Sequence, residues 1–293
     1  MRKYLLITCA LLLGTISILS GHIASDLDTF LEIECTIAPR QRPGAKDVGC
    51  SQEPRGLQGI QITDLGSRPH MPFATARSTN WSGYVAQTSL TRPIKGSVTS
   101  VAGEWNVPAL TSSTNTTYCA VWVGIDGFSN GTVEQIGTEH EWYLGAQVNY
   151  AWFEMYPGGS YELVGFPVNV HDLIGAEVNF LGGTTFQLII INYTRNVYTI
   201  VPKSYTKSAI AQRTSAEWVV EAPYYNGILP LSHFGTIPWT NCAATMRGHS
   251  GPINYNLWAN ESINMVTISN ALKALPSSLV SGGKAFSVTW MHE

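Results

Sequence analysis

Glu217 and Glu221 stand four residues apart in Ala216-Glu217-Trp218-Val219-Val220-Glu221. On a strand the two carboxylates share a face and lie about 13 Å apart, at roughly 3.3 Å per residue. Carboxylates that hydrolyse a glycosidic bond stand about 5–5.5 or 6.5–9.5 Å apart, so this pair alone cannot do it. Glu154 with Glu221, from neighbouring strands, keeps a glycosidase open. Other hydrolytic chemistries fail on spacing. His140-Glu141 has no second histidine four residues on, as a zinc peptidase helix needs. No Gly-x-Ser-x-Gly turn occurs. Gly248-His249-Ser250-Gly251 resembles a serine turn, but His171-Asp172 is the only adjacent His-Asp pair to complete a triad, and a Gly-rich turn carrying Ser is ordinarily a loop. The paired Asp-Thr/Ser-Gly turns of pepsin-like enzymes are missing, and no Cys-x-x-Cys suggests a metal.

The elements that must position these groups read as strands. The chain has 293 residues, 44% hydrophobic and only 13% charged, with 9 Trp, 13 Tyr and a net charge of −3. That balance argues against nucleic-acid binding, which needs a basic face, and against disorder. Short alternating runs recur from Asn80 onward, such as Tyr118 to Val123, Val148 to Tyr156, Phe186 to Tyr193 and Ala216 to Val220. Turn pairs such as Asp126-Gly127, Gly182-Gly183 and Asn226-Gly227 separate them. One helical turn is expected near Ala271 to Leu275. The pattern predicts an all-β fold: a β-sandwich of two packed antiparallel sheets, of the concanavalin or jelly-roll kind.

Six segments in order then carry a resemblance. They are Asn80-Trp81-Ser82-Gly83-Tyr84, Gly103-Glu104-Trp105-Asn106-Val107-Pro108, Trp122-Val123-Gly124-Ile125-Asp126-Gly127, Val133-Glu134-Gln135-Ile136-Gly137-Thr138-Glu139, Tyr150-Ala151-Trp152-Phe153-Glu154-Met155-Tyr156-Pro157 and Ala216 to Glu221. Together, from about Asn80 onward, they resemble a glutamic peptidase of the eqolisin family (G1), and its prokaryotic branch more than the fungal one. The resemblance implies two seven-stranded sheets and an acid endopeptidase made as a preproenzyme, with no metal or cofactor. It implies a catalytic dyad of Gln135 and Glu221, with Trp81, Trp122, Asp126, Trp152 and Glu154 lining the substrate cleft. Tyr150 stands where fungal members have Asp, and Met155 replaces an aromatic residue; both bear on subsite preference. Asp126, before Gly127, also suits a turn-shaping role, and Glu154 suits tuning of Glu221.

The chemistry fits those residue types. A carboxylate can take a proton from water and return it to a leaving amine. A glutamine offers an acceptor to orient water and donors for an oxyanion, and it does not titrate in acid as histidine does.

The ends of the chain suggest export. Arg2 and Lys3 precede an uncharged run from Tyr4 to Ser20, with small residues before Asp26. Residues 1–25 are therefore expected to be a signal peptide, 26–77 a propeptide or linker with a short helix at Leu27 to Ile33, and 78–293 the catalytic domain. Six Lys plus Arg fall between Asp26 and Arg77, whereas the body from Ser78 has nine basic and thirteen acidic residues, a net of −4. The expected partners are unfolded or peptide substrates and the protein's own propeptide, for a secreted monomer that leaves the membrane once its signal is cut. Cys35 with Cys50, and Cys119 with Cys242, are the expected disulfides, reduced buried thiols being the alternative for the second pair. The sequons at Asn80, Asn115, Asn130, Asn192 and Asn260 are read as surface positions. A sugar-binding sandwich using its Trp and Tyr faces is the non-catalytic alternative.

Overall fold

Apolar and β-branched residues alternate with polar ones over five to eleven positions at a time, and each such run becomes a strand. The computed structural model describes residues 44–55, 72–74, 77–204 and 210–293. In chain order its strands are β1 (Lys46–Asp47), β2 (Ser51–Pro54), β3 (Pro72–Ala74), β4 (Arg77–Ser78), β5 (Trp81–Gln87), β6 (Val98–Asn106) and β7 (Thr117–Ile125). Then come β8 (Val133–Tyr143), β9 (Ala146–Tyr156), β10 (Ser160–Val164), β11 (Leu173–Gly182), β12 (Thr185–Asn192) and β13 (Val197–Ser204). The last are β14 (Ser215–Glu221), β15 (Thr236–Met246), β16 (His249–Gly251), β17 (Ala259–Val266), β18 (Leu272–Pro276) and β19 (Phe286–Trp290). Among the described residues the only helical element is a 3-10 turn at Ser281–Gly283. The run near Ala271 to Leu275 is strand, not helix: its main chain pairs with β17 and β19.

The strands form two sheets packed face to face. The first runs β2–β10–β9–β8–β7–β14–β5–β17. The second runs β1–β13–β12–β11–β6–β15–β19–β18, with β16 folded back on the end of β15. Pairing is antiparallel throughout except at β1–β13 and β4–β17. Strand β17 belongs to both sheets: Ala259 to Ile263 pair with β5, and Met265 and Val266 pair with β18.

Alternate side chains of each sheet meet between them. Val121, Val123, Ile136, Phe153 and Trp218 of the first sheet face Trp105, Ile174, Val178, Leu188 and Trp239 of the second in one core cluster. The intervening positions of the first sheet build a separate cluster on its outer face, with Trp81, Val85, Trp122, Trp152 and Val219. A half-buried sheet would carry polar residues there; this face carries tryptophans and carboxylates instead.

Three sequence expectations change. Cys119 on β7 and Cys242 on β15 lie in different sheets, both inside the core, and both are free thiols rather than a disulfide. Cys50 is also a free thiol, and Cys35 lies outside the described residues, as do the expected signal peptide and the helix expected at Leu27 to Ile33. Asn80 and Asn192 are buried, not surface sequons, because their amides serve internal hydrogen bonds.

Candidate active site

The register of the first sheet sets three rows across its outer face. One row reads Trp81, Glu221, Ala120, Glu139, Tyr150 from β5 to β9. The next reads Gly83, Val219, Trp122, Gly137, Trp152, and the third reads Val85, Glu217, Gly124, Gln135, Glu154. Residues two apart on one strand share a face, so a strict alternation over five strands brings six of the seven expected site residues together. Gln135 and Glu221 do not bond to each other. They lie in the outer rows of the three, two strands apart, with Trp122 between them.

Glycines make room for that indole. A Cβ on Gly137 would stand 2.5 Å from Trp122 Cβ and 2.1 Å from Val121 O, and one on Gly124 would stand 2.8 Å from Trp122 Cζ3. The ring therefore reaches from Gly124, opposite Gln135, towards Glu221, where its Nε1 donates to Oε2 at 2.8 Å. Asn80 Nδ2 donates to Oε1 at 3.2 Å, and Asn80 is itself held by Ser78 Oγ, a 2.9 Å bond. Trp81 packs edge-on against Trp122, with centroids 4.8 Å apart. Burial pushes the Glu221 carboxyl up to about 7, opposed by the Trp122 bond, the Arg55 charge, and Trp81 and Asn80.

Gln135 Nε2 donates to Glu154 Oε2 at 2.7 Å. Its Oε1 is buried and has no hydrogen-bond partner among the described residues. Such an acceptor is costly to leave unpaired, so its position marks a place for a donor from outside. In the same row Glu217 is buried, and burial drives its carboxyl well above the ordinary range.

Asp126 has other work. It accepts from Arg213 N, from Thr214 N at 2.8 Å and Oγ1 at 2.9 Å, from Thr132 Oγ1 at 3.3 Å and from Asn130 Nδ2. Its positive φ of 71° places it in a tight turn. These bonds tie two loops together and use both carboxylate oxygens. The pairing of Glu154 with Glu221 as a glycosidase dyad also fails. β9 and β14 are not neighbours: β8 and β7 stand between them, three strand spacings or about 14 Å.

Three residues of the site were not singled out from the sequence. Asn80 was read only as part of a motif and a sequon. Glu139 is four residues after Gln135, and that parity on a strand was the signal for a second group on the same face. Arg55 carried no signal beyond its charge. It follows β2, its side chain pairs with Glu139, and its guanidinium lies 4.0 Å over the Trp152 ring. Gln135, Glu154, Trp122 and Trp152 are fully buried, and Glu221 is 1% exposed.

Comparison with known proteins gives the family and the fold. The sequence profile of the Peptidase A4 family matches residues 79–290. Scytalidopepsin B of Scytalidium lignicola is 28% identical over 185 residues, which is 60% of this chain and 67% of that protein. The crystal structure of scytalido-glutamic peptidase with a transition state analog inhibitor superposes with a TM-score of 0.61 at 24% identity, over 73% of this chain and 98% of that one. Aspergilloglutamic peptidase from Aspergillus niger gives 0.54 at 22% identity, over 60% and 99%. These two superpositions speak to the β-sandwich fold.

Proposed function

Because the chain belongs to the Peptidase A4 family, the glutamic peptidases or eqolisins, we propose that it cleaves peptide bonds in acid with Gln135 and Glu221 as its dyad. It is a glutamic endopeptidase; the assignment of the dyad is our reading. The observation that carries it is the pairing of opposites on one face: a carboxylate with both oxygens oriented, at Glu221, and an amide with one end anchored and an acceptor that no described residue engages, at Gln135.

In this reading the attacking water is held by Glu221, and Gln135 faces the same stretch of substrate from the far side of the Trp122 indole. Glu221 takes a proton from that water as hydroxide adds to the peptide carbonyl. The second Nε2 hydrogen of Gln135 donates to the developing oxyanion. Glu221 then gives its proton to the leaving amine, and the carbon–nitrogen bond breaks. The amide keeps its hydrogens at any acid pH. Glu221 must start ionised. The covered site holds it protonated until about pH 7, and access of water would remove the desolvation that raises it.

The covering supports a zymogen. Residues 26–77 are proposed as a propeptide that blocks the site, with secretion following from the signal-like segment. Arg55 belongs to that stretch and is buried against Glu139. Burial raises the Glu139 carboxyl against the pull of Arg55. As pH falls the body's carboxylates in general lose their charge while the basic residues of 26–77 keep theirs, and the electrostatic hold on that segment weakens. Full-length protein taken from pH 7 to 3.5 should then shorten by about fifty residues, the length drawn from the composition change near Arg77.

The test is direct. Gln135→Ala and Glu221→Gln should each nearly abolish cleavage of an unfolded protein while circular dichroism stays unchanged, and the double variant should lose little more. A Glu221→Gln enzyme with more than about a tenth of the original rate would contradict the assignment, since a general base contributes about 10²–10⁴.

A further inference from the structure

Arg55 sits in the site in the manner of a bound peptide. Strand β2 adds to the edge of the first sheet, antiparallel to β10, with Ser51 to Pro54 opposite Val164 to Tyr161. The main chain continues one residue further, where Arg55 N donates to Ser160 O at 3.0 Å. This is strand addition: the backbone ladder gives affinity and a side-chain pocket gives selectivity. The side chain then reaches back across the outer face. One terminal nitrogen, Nη2, pairs with Glu139 Oε2, and Nη1 lies 3.5 Å from Ser160 Oγ. The guanidinium plane covers Trp152 at 4.0 Å and stands 6.0 Å from the Tyr150 centroid.

The walls of this cage are set by other contacts. Cys119 N donates to Glu139 Oε1 at 3.1 Å, and Tyr150 Oη donates to Glu141 Oε1 at 2.7 Å. Trp152 packs in the outer-face cluster with Trp81 and Trp122. The cage belongs to that face and not to the core between the sheets, so it holds its shape for an arriving side chain. Once Arg55 leaves, a buried carboxylate is left facing a tryptophan ring with no cation, an expensive state. A planar, delocalised cation that stacks on the ring while one terminal nitrogen pairs with the carboxylate answers it better than a compact ammonium.

Resting on the peptidase reading above, we propose that the Glu139–Tyr150–Trp152 cage is a substrate subsite that selects arginine. Glu139 lies in the same row as Glu221, two strands away, about 10 Å at 4.8 Å per strand. The preferred arginine therefore falls within about three residues of the bond that is cut, given 3.3–3.6 Å per extended residue.

The experiment uses a matched peptide series with arginine, lysine, citrulline or leucine moved through each position around one cleavage site. The active enzyme should favour arginine over its uncharged isostere citrulline by at least tenfold in kcat/KM at one position, with lysine between them. In Glu139→Gln that ratio should fall towards one. Equal cleavage of the arginine and citrulline series at every position would overturn the inference while leaving the peptidase standing. A chain that cleaves no peptide and no unfolded protein would overturn the peptidase reading instead. The cage is then judged separately, in full-length Arg55→Ala, by calorimetry with ethylguanidinium. Binding at least tenfold tighter than that of ethylurea, lost in Arg55→Ala/Glu139→Gln, supports it, and equal binding overturns it. Thermal unfolding of each variant confirms that it is folded.

Discussion

The Gln135 amide and the Glu154 carboxylate face each other across the β8–β9 ladder, donor to acceptor at 2.7 Å. Glu154 Oε2 accepts from the nitrogen end of the amide, and that bond leaves Oε1 for the other side. Glu154→Gln removes that constraint, because two amides can pair either way round. The expected result is a fall in kcat of about tenfold, the worth of one oriented hydrogen bond of about 1.4 kcal/mol, with KM changed less than threefold. A loss that fell wholly on KM would mean that Glu154 contacts substrate rather than positioning Gln135.

Trp122→Phe keeps most of the apolar bulk and deletes the Nε1 donor to Glu221. A hydrogen bond to a charged group is worth about 1.5–3 kcal/mol, so loss of this one should raise the Glu221 pKa by about one to two units. The acid limb of the kcat/KM profile should move up in pH by that amount. An unmoved limb with lower activity would show that the indole only packs.

Buried ionisable groups give the fold its own pH dependence. Glu177 on β11 accepts from Ser100 Oγ at 3.4 Å, is fully buried and is pushed up to about 8, chiefly by burial. A raised folded value means that its contribution is intact below the unfolded pKa near 4.5 and is lost as pH rises through 8. The span corresponds to several kcal/mol, at most about 5. Glu177→Gln should therefore flatten the fall in Tm between pH 5 and 8. His140 acts in the other direction. Burial lowers it to about 4, so its contribution holds above pH 6.5 and fades as pH falls to 4, by about 3 kcal/mol. Urea midpoints measured from pH 3 to 9 in the wild type, Glu177→Gln and His140→Gln would resolve both slopes.

The sandwich was legible because a strand's period of two is strict, and Gln135, Glu221 and the tryptophans were singled out by the resemblance that the six motifs carry. Gln135, Gly137 and Glu139 could only share a face once β8 was a strand, and so could Glu217, Val219 and Glu221. What the order of strands would do was not legible. Glu154 and Glu221 looked like neighbours, and two strands separate them. Asp126 looked like a cleft residue, and its oxygens are taken by loops that lie far apart in sequence. Arg55 was hidden for the same reason: its partner Glu139 is 84 positions later, and only the edge pairing of β2 on β10 brings them together.

The thiols offer a simple check. Cys119 and Cys242 are buried, and burial pushes both well above the ordinary thiol range. Neither should react with iodoacetamide at pH 8 until the protein is unfolded, and both should then be alkylated without prior reduction. A Tm that dropped on adding dithiothreitol would contradict this.

The order in which the chain is made bears on when a site can exist. β5, which carries Trp81 and follows Asn80, lies between β14 and β17, and Glu221 ends β14. A ribosome releases the first of these long before the others. Until β14 and β17 emerge, β5 has neither flanking partner, and contacts this distant in sequence form slowly. A partly synthesised chain thus carries Trp81, Trp122 and Gln135 before Glu221 exists beside them, so the outer face is assembled only when the last third of the chain is made.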